Sequence, residues 1–208
     1  MIRTLFHNPN TIRKIQERLP YIFQVAEIDS SRAGKIGMEV GSLRERILIA
    51  LLIHVFGADT VETEIPITEP EVDVKVNDNP ISIKTITGKT LPGMKLIWTV
   101  DRENAIYFAN NYCPSCDILL AHINWGGTGG LFLIPHQAQL DMQKELGRDM
   151  YLKLPKPGTN PRGVEMSFTA ARQLAKDPRT SKIPIRWVKQ DIDYNAYDRW
   201  LDYWNEEV

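Results

Sequence analysis

An acid, Asp73, and a base, Lys84, stand on either side of a short polar spacer. They sit in Glu71-Val72-Asp73-Val74-Lys75-Val76 and Ile81-Ser82-Ile83-Lys84, with Asn77-Asp78-Asn79-Pro80 between them. Apolar and polar residues alternate in both stretches, the pattern of half-buried strands, and the spacer is rich in turn residues, so the segment reads as a β-hairpin. Val72, Val74 and Val76 share one face of the first strand; Glu71, Asp73 and Lys75 share the other. In the second strand Ile81 and Ile83 point one way and Ser82 and Lys84 the other, so Asp73 and Lys84 can meet on one side of a twisted sheet. Cleaving a phosphodiester needs a carboxylate to hold a hard cation such as Mg²⁺. It also needs a nearby positive charge to orient the attacking water and offset charge growing on the phosphate oxygens. An aspartate and a lysine on adjacent strands supply both.

An apolar segment lies upstream of this pair. Gly41-Ser42-Leu43-Arg44-Glu45-Arg46 runs into the apolar segment from Ile47 to Phe56 and stops at Gly57, which reads as a helix capped by Ser42 and ended by glycine. It is too short, and too flanked by charge, to span a membrane. Helical spacing puts Glu45 on the stripe of Leu48, Ile49 and Leu52, so its carboxylate points toward the core and needs a partner there. That partner is either a metal shared with Asp73 or a basic residue such as Arg44 or Arg46.

Taken together, Glu45, Pro70-Glu71-Val72-Asp73 and Ser82-Ile83-Lys84 resemble the PD-(D/E)XK nucleases, and within them the type II restriction endonucleases. The resemblance covers roughly residues 41 to 135. It has two departures: Glu71 and Val72 separate the proline from the aspartate, and Ser82 stands where an acid is expected two residues before the lysine. Similar restriction enzymes that carry a serine there recruit a glutamate from a helix, which would make Glu45 the replacement ligand, with Glu71 as its competitor. The resemblance implies an α/β fold with a central mixed β-sheet flanked by helices. It implies Mg²⁺, with Mn²⁺ able to substitute, held by Asp73, by Glu45 or Glu71, and by the Ile83 carbonyl, while Lys84 orients the water and Ser82 completes the motif. It further implies a homodimer cutting double-stranded DNA at a short palindrome, whose two strands present equivalent sites to two subunits, and a cognate DNA methyltransferase in the same cell. Other readings are a repair or junction-resolving nuclease with the same site, and a non-cleaving DNA-binding protein on a decayed nuclease fold, the reading Ser82 motivates.

Downstream, Gly93 to Asp101 reads as a further strand or as the entry to a helix continuing through Phe108. Asp117 to Trp125 reads as a buried strand, Gly126-Gly127-Thr128-Gly129-Gly130 as a turn, and Leu131 to Pro135 as the returning strand. The glycine cluster lacks the Gly-Lys-Ser/Thr ending of a phosphate loop.

At 208 residues the chain is long enough for one domain with a substantial core. It divides into an N-terminal helical segment (1–40), a catalytic core (41–135) and a basic DNA-recognition region with a C-terminal helix (136–208). The net charge of −1 conceals an uneven distribution. Lys144 to Lys189 holds eleven basic residues against four acids, an excess of seven, and the chain turns acidic from Gln190. A basic half facing phosphates suits DNA binding. Within it the loop Lys153 to Gly163 is stiffened by three prolines and carries Lys156, Asn160 and Arg162. Arginine matches guanine's two acceptors and asparagine matches adenine's donor and acceptor, so Arg162 and Asn160 are the expected base contacts. Lys89 and Lys95 are further DNA-facing candidates, and Met94 could wedge between bases.

Cys113-Pro114-Ser115-Cys116 is only half of a zinc site, so both thiols are expected to be free, in a cytoplasmic protein. The N-terminus shows no apolar run with a cleavage site. A helix is expected from Asn10 or Thr11 to Leu19, broken at Pro20 and resumed through Val25, and His54 is expected in the core. Tyr194, Tyr197, Trp200, Leu201 and Trp204 fall at helical spacing, a stripe expected to dock on the core or on a partner subunit.

Overall fold

The structure, a computed structural model, describes residues 2–32, 35–37, 39–66, 68–69, 71–154 and 163–206. In chain order the helices are α1 (Pro9–Asp29), α2 (Val40–Phe56), α3 (Arg102–Asn111), α4 (His136–Leu146), α5 (Arg148–Tyr151), α6 (Phe168–Leu174) and α7 (Asp198–Asn205). The strands are β1 (Ser31–Arg32), β2 (Lys35–Ile36), β3 (Val61–Glu62), β4 (Val74–Val76), β5 (Asn79–Thr87), β6 (Met94–Ile97), β7 (Asp117–Ile123), β8 (Thr128–Ile134), β9 (Leu152–Lys153), β10 (Val164–Met166) and β11 (Ser181–Arg186).

Among the described residues the principal sheet has the order β11-β8-β7-β5-β4-β3. The β5–β7 pair is parallel and its other pairs are antiparallel, so the sheet is mixed, as expected. A parallel neighbour requires a crossover, and the chain makes it through β6 and α3. β7 and β8 lie inside the sheet and are apolar on both faces. Leu119, Ala121, Leu131 and Leu133 pack on one face with α1 and α2, and Ile118, Leu120, Phe132 and Ile134 on the other with α4, α6 and the small sheet β6-β10-β9.

Several elements differ from the sequence expectation. α1 runs unbroken through Pro20, which is buried within it, and Asn8 caps its start by accepting from the Asn10 and Thr11 amides. The missing proline donor costs one helical bond, and burial of Ile15, Leu19 and Phe23 against the sheet offsets it. Ser42 lies inside α2 rather than capping it, whereas Gly57 ends that helix with φ of 91° as expected. Gly93 to Asp101 resolves into β6, then a turn, then α3 with Asp101 as its cap, accepting from the Glu103 and Asn104 amides.

Gly129 and Gly130 belong to β8 rather than to the preceding turn. A Cβ on Gly129 would lie 2.0 Å from the His122 carbonyl oxygen and 2.7 Å from the Trp187 indole nitrogen, so the glycine is what lets the buried Trp187 close over the sheet. His54 is exposed rather than in the core, its Nε2 3.0 Å from Lys14 Nζ. No helix among the described residues is long and apolar enough to cross a membrane.

Candidate active site

The hairpin forms with a tighter turn than its spacer suggests. Asn77 and Asp78 both take positive φ, 47° and 62°, so these two residues alone make the turn and Asn79 and Pro80 join β5. Asparagine and aspartate tolerate that conformation better than other side chains bearing a Cβ. The ladder pairs Val76 with Asn79 and Val74 with Ile81, and the Asp73 amide donates to the Ile81 carbonyl at 2.9 Å. Strand β4 goes no further back than Val74, yet β5 continues to Thr87 along β7.

The edge of β5 that β4 leaves bare is taken up by the Asp73 side chain. Its Oδ2 accepts from the Ile83 amide at 2.5 Å and from the Ser82 hydroxyl at 3.1 Å, and lies 3.5 Å from Lys84 Nζ. The carboxylate thus replaces the carbonyl that a longer β4 would offer. A strand residue directs its N–H and C=O to the same edge, so the Ile83 carbonyl faces the side that Asp73 occupies. Side-chain exposure of 22% for Asp73 and 20% for Lys84 leaves the pair open to a substrate.

Glu45, from the first turns of α2, completes the group. Burial raises its carboxyl above the ordinary value; the Asp73 charge raises it further, while Lys84 and Arg46 pull it down. Arg44 does not pair with it, being committed elsewhere. Its guanidinium is buried, donating to Glu27 at 2.5 Å and to the Thr87 hydroxyl, at the end of β5, at 3.0 Å. The structure therefore brings Glu45, Asp73, Ser82, Ile83 and Lys84 together at one point, where α2 meets the bare edge of β5.

Glu71 is placed differently. It lies before β4 in a turn, and its carboxylate accepts from the Tyr112 hydroxyl at 2.7 Å and from the Ser115 amide at 3.1 Å, as well as from the Ser115 hydroxyl. These contacts anchor the hairpin to the end of α3 and to the Cys113–Cys116 segment. They draw Glu71 away from the face it was expected to share with Asp73. Lys75 likewise turns to Glu69, at 2.8 Å.

The expected DNA contacts scatter. Lys89 and Lys95 are exposed, as a contact requires. Met94 corrects its expectation: it is completely buried in the core beneath β6 and β10, and reaching a base would empty that core. Lys156, Asn160 and Arg162 lie outside the described residues. Part of the basic excess is spent within the protein, since Arg179 pairs with Asp141 and Asp177, Lys153 with Glu165, and Lys189 with Glu27. Both cysteines are free.

Sequence reasoning missed the support behind Glu45. Glu27 on α1, buried like Arg44, also accepts from the Trp125 indole at 2.6 Å, and Lys189 Nζ lies 2.9 Å from its second oxygen, an ion pair outside hydrogen-bond alignment. The signal was available: Glu27 and Arg44 are charged residues set on buried helical faces and so demand partners.

The model of the family described as "Restriction endonuclease ThaI" matches residues 5–206. The chain belongs to that family. The expected enzyme class stands with it: this ThaI-family protein is a site-specific restriction endonuclease. A solved structure described as "Restriction endonuclease in complex with substrate DNA" shares 54% identity, covers 99% of this chain and 99% of that chain, and superposes with a TM-score of 0.92. A comparison with curated proteins finds no match.

Membership in the ThaI family implies a divalent metal cofactor. The residues fit one. The half-buried Glu45 carboxyl feels the charges of both Asp73 and Lys84, and it is held above its ordinary value by burial and by its neighbour's charge, a strain that a cation would relieve. All the available donors are oxygens, the preference of hard cations. Among the described residues no cluster of three or more His, Cys, Asp or Glu forms. A hard cation held by two carboxylates would complete its shell with water and substrate oxygens.

Proposed function

We propose that this endonuclease is Mg²⁺-dependent and hydrolyses double-stranded DNA at a short palindrome, acting as a homodimer, with Mn²⁺ able to replace Mg²⁺. The observation that carries the reading is the meeting of Glu45 and Asp73 with Lys84 on the bare edge of β5. Asp73, Glu45 and the Ile83 carbonyl hold the metal. The ion supplies charge stabilisation to the scissile phosphate. Lys84 carries the mobile positive charge of the site: it orients the attacking water and offsets charge developing on the phosphate oxygens. Ser82, with its hydroxyl on Asp73, acts through that carboxylate.

The relative's description names substrate DNA, and its similarity over the whole chain supports DNA as the substrate here. Lys89 and Lys95, together with Lys156, Asn160 and Arg162 of the basic loop, are the residues assigned to the duplex. Cytoplasmic location and a cognate methyltransferase follow from this activity, because a site-specific nuclease must meet foreign DNA in a compartment where the host's own sites are protected.

Incubating the protein with unmethylated plasmid DNA tests the reading. Discrete fragments with Mg²⁺ and intact DNA with EDTA are expected; sequencing the ends then gives the site. Structure-directed cutting of branched DNA alone would replace this reading with a junction-resolving one.

A further inference from the structure

Helix α7 buries none of its residues. Tyr197, Trp200, Leu201 and Trp204 recur at i, i+3, i+4 and i+7 and so form one stripe, and they are 72%, 51%, 53% and 87% exposed. Lone apolar residues on a surface are ordinary, but a contiguous aromatic stripe marks an interaction site. The expectation that this stripe docks on the chain's own core is not met. Its root is nonetheless fixed: Tyr194 donates to Asp29 at 2.7 Å, and Gln190 exchanges two hydrogen bonds with Gln24, both at 2.8 Å, so α7 leaves the body from a defined place at the end of α1.

A second apolar surface is open on the same chain. A groove of ≈350 Å³ between α1 and α2 is lined by Ile15, Leu19, Ile22, Ile47, Ala50 and Leu51. From Ile47 to Phe56 every residue of α2 except His54 is apolar. Helices apolar all round are covered on all sides. Here Ala50 is exposed and Ile47 and Leu51 are only half covered.

The two surfaces also match in charge. Lys14 and Arg18 border the groove, whereas Asp191 to Glu206 holds five acids and the single base Arg199.

We propose that α7 of one protomer seats its Tyr197, Trp200, Leu201 and Trp204 stripe in the α1–α2 groove of a second copy, which returns the same contact. A reciprocal exchange fills both open surfaces of both chains and closes at two copies, with no face left to recruit a third. It rests on the homodimer reading above and names the surface that reading lacks. The exchange has a consequence for the site, because the groove lies on the helix that carries Glu45, so each partner's arm braces the other's metal-ligating helix.

The test is the mass of the full chain by light scattering after gel filtration, for the wild type, for Trp200→Glu/Trp204→Glu and for Ala50→Glu. All three positions are exposed in the single chain, so none of these changes empties a core. Circular dichroism checks that the fold persists. The expected result is a dimer for the wild type and weakening of self-association by ~30-fold or more in each variant, the loss typical of a buried tryptophan anchor. A dimeric wild type with either variant still fully dimeric would overturn the arm exchange and leave the homodimer standing on another surface. A monomeric wild type would overturn both.

Discussion

Asp73 Oδ2 accepts the Ile83 amide at 2.5 Å, a bond that a neighbouring strand's carbonyl would normally make. The hairpin ladder thus ends at the Val74–Ile81 pair, and the Asp73 carboxylate takes the bond that a longer β4 would make. Asp73 is therefore held to β5 twice, by its amide on the Ile81 carbonyl and by its carboxylate on the Ile83 amide, and Lys84, next along β5, lies beside it.

Ser82 follows from this frame. Its hydroxyl, fully buried, donates to Asp73 and orients it. Ser82→Ala is expected to slow cleavage ~10-fold, the usual cost of losing a partner that orients a ligand. Ser82→Asp introduces the acid of the PD-(D/E)XK pattern but forces a further carboxylate into a buried position beside Asp73, so its melting temperature in EDTA should fall. A Ser82→Asp protein of unchanged stability and normal rate would contradict this.

Glu45 and Glu71 separate in metal-free protein. Burial and the Asp73 charge raise the Glu45 carboxyl, so the ionised side chain costs stability as pH rises from its unfolded value through its folded one. At neutral pH in EDTA, Glu45→Gln should melt no lower than the wild type, and added Mg²⁺ should no longer stabilise it. A lower melting temperature in EDTA, with Mg²⁺ stabilisation intact, would remove Glu45 from the metal site.

Glu71→Gln should behave in the opposite way. It weakens bonds to Tyr112 and Ser115 that hold the hairpin to α3, so a loss of ~1–3 kcal/mol is expected, with the Mg²⁺ requirement for cleavage unchanged. A large increase in that requirement would make Glu71 a ligand.

These two glutamates show what the sequence could and could not disclose. The hairpin was legible because period-two alternation specifies which side chains share a face, and Glu45 because a carboxylate on an apolar helical stripe demands a partner. Glu71 alternates in the same way, but its partners Tyr112 and Ser115 lie more than forty positions downstream, a distance at which local pattern is silent. The wedge expected of Met94 fails for a related reason: β10, about seventy positions downstream, pairs with β6 and buries it. Pro20 suggested a broken helix, yet packing of the α1 face against the sheet outweighs the one bond it removes.

The two thiols should differ sharply. Burial, with the Glu71 charge behind it, pushes the Cys116 thiol up to about 12, whereas Cys113 is exposed. At about pH 8 only ~1 in 10⁴ Cys116 thiols is ionised. Titration with a chromogenic disulfide should count one reactive thiol in the folded protein and two in denaturant; two in the folded protein would contradict the buried placement.

Glu45, Asp73 and Lys84 are proposed to form one metal-dependent cleaving site. The most direct measurement is the rate at which plasmid DNA is cut in Mg²⁺ by the wild type, Asp73→Asn, Lys84→Ala and Glu45→Gln, with DNA binding measured in parallel in Ca²⁺. Each variant should still bind DNA and cut it slower by ~100-fold or more. Cutting by Asp73→Asn or Lys84→Ala at the wild-type rate would place the active site elsewhere.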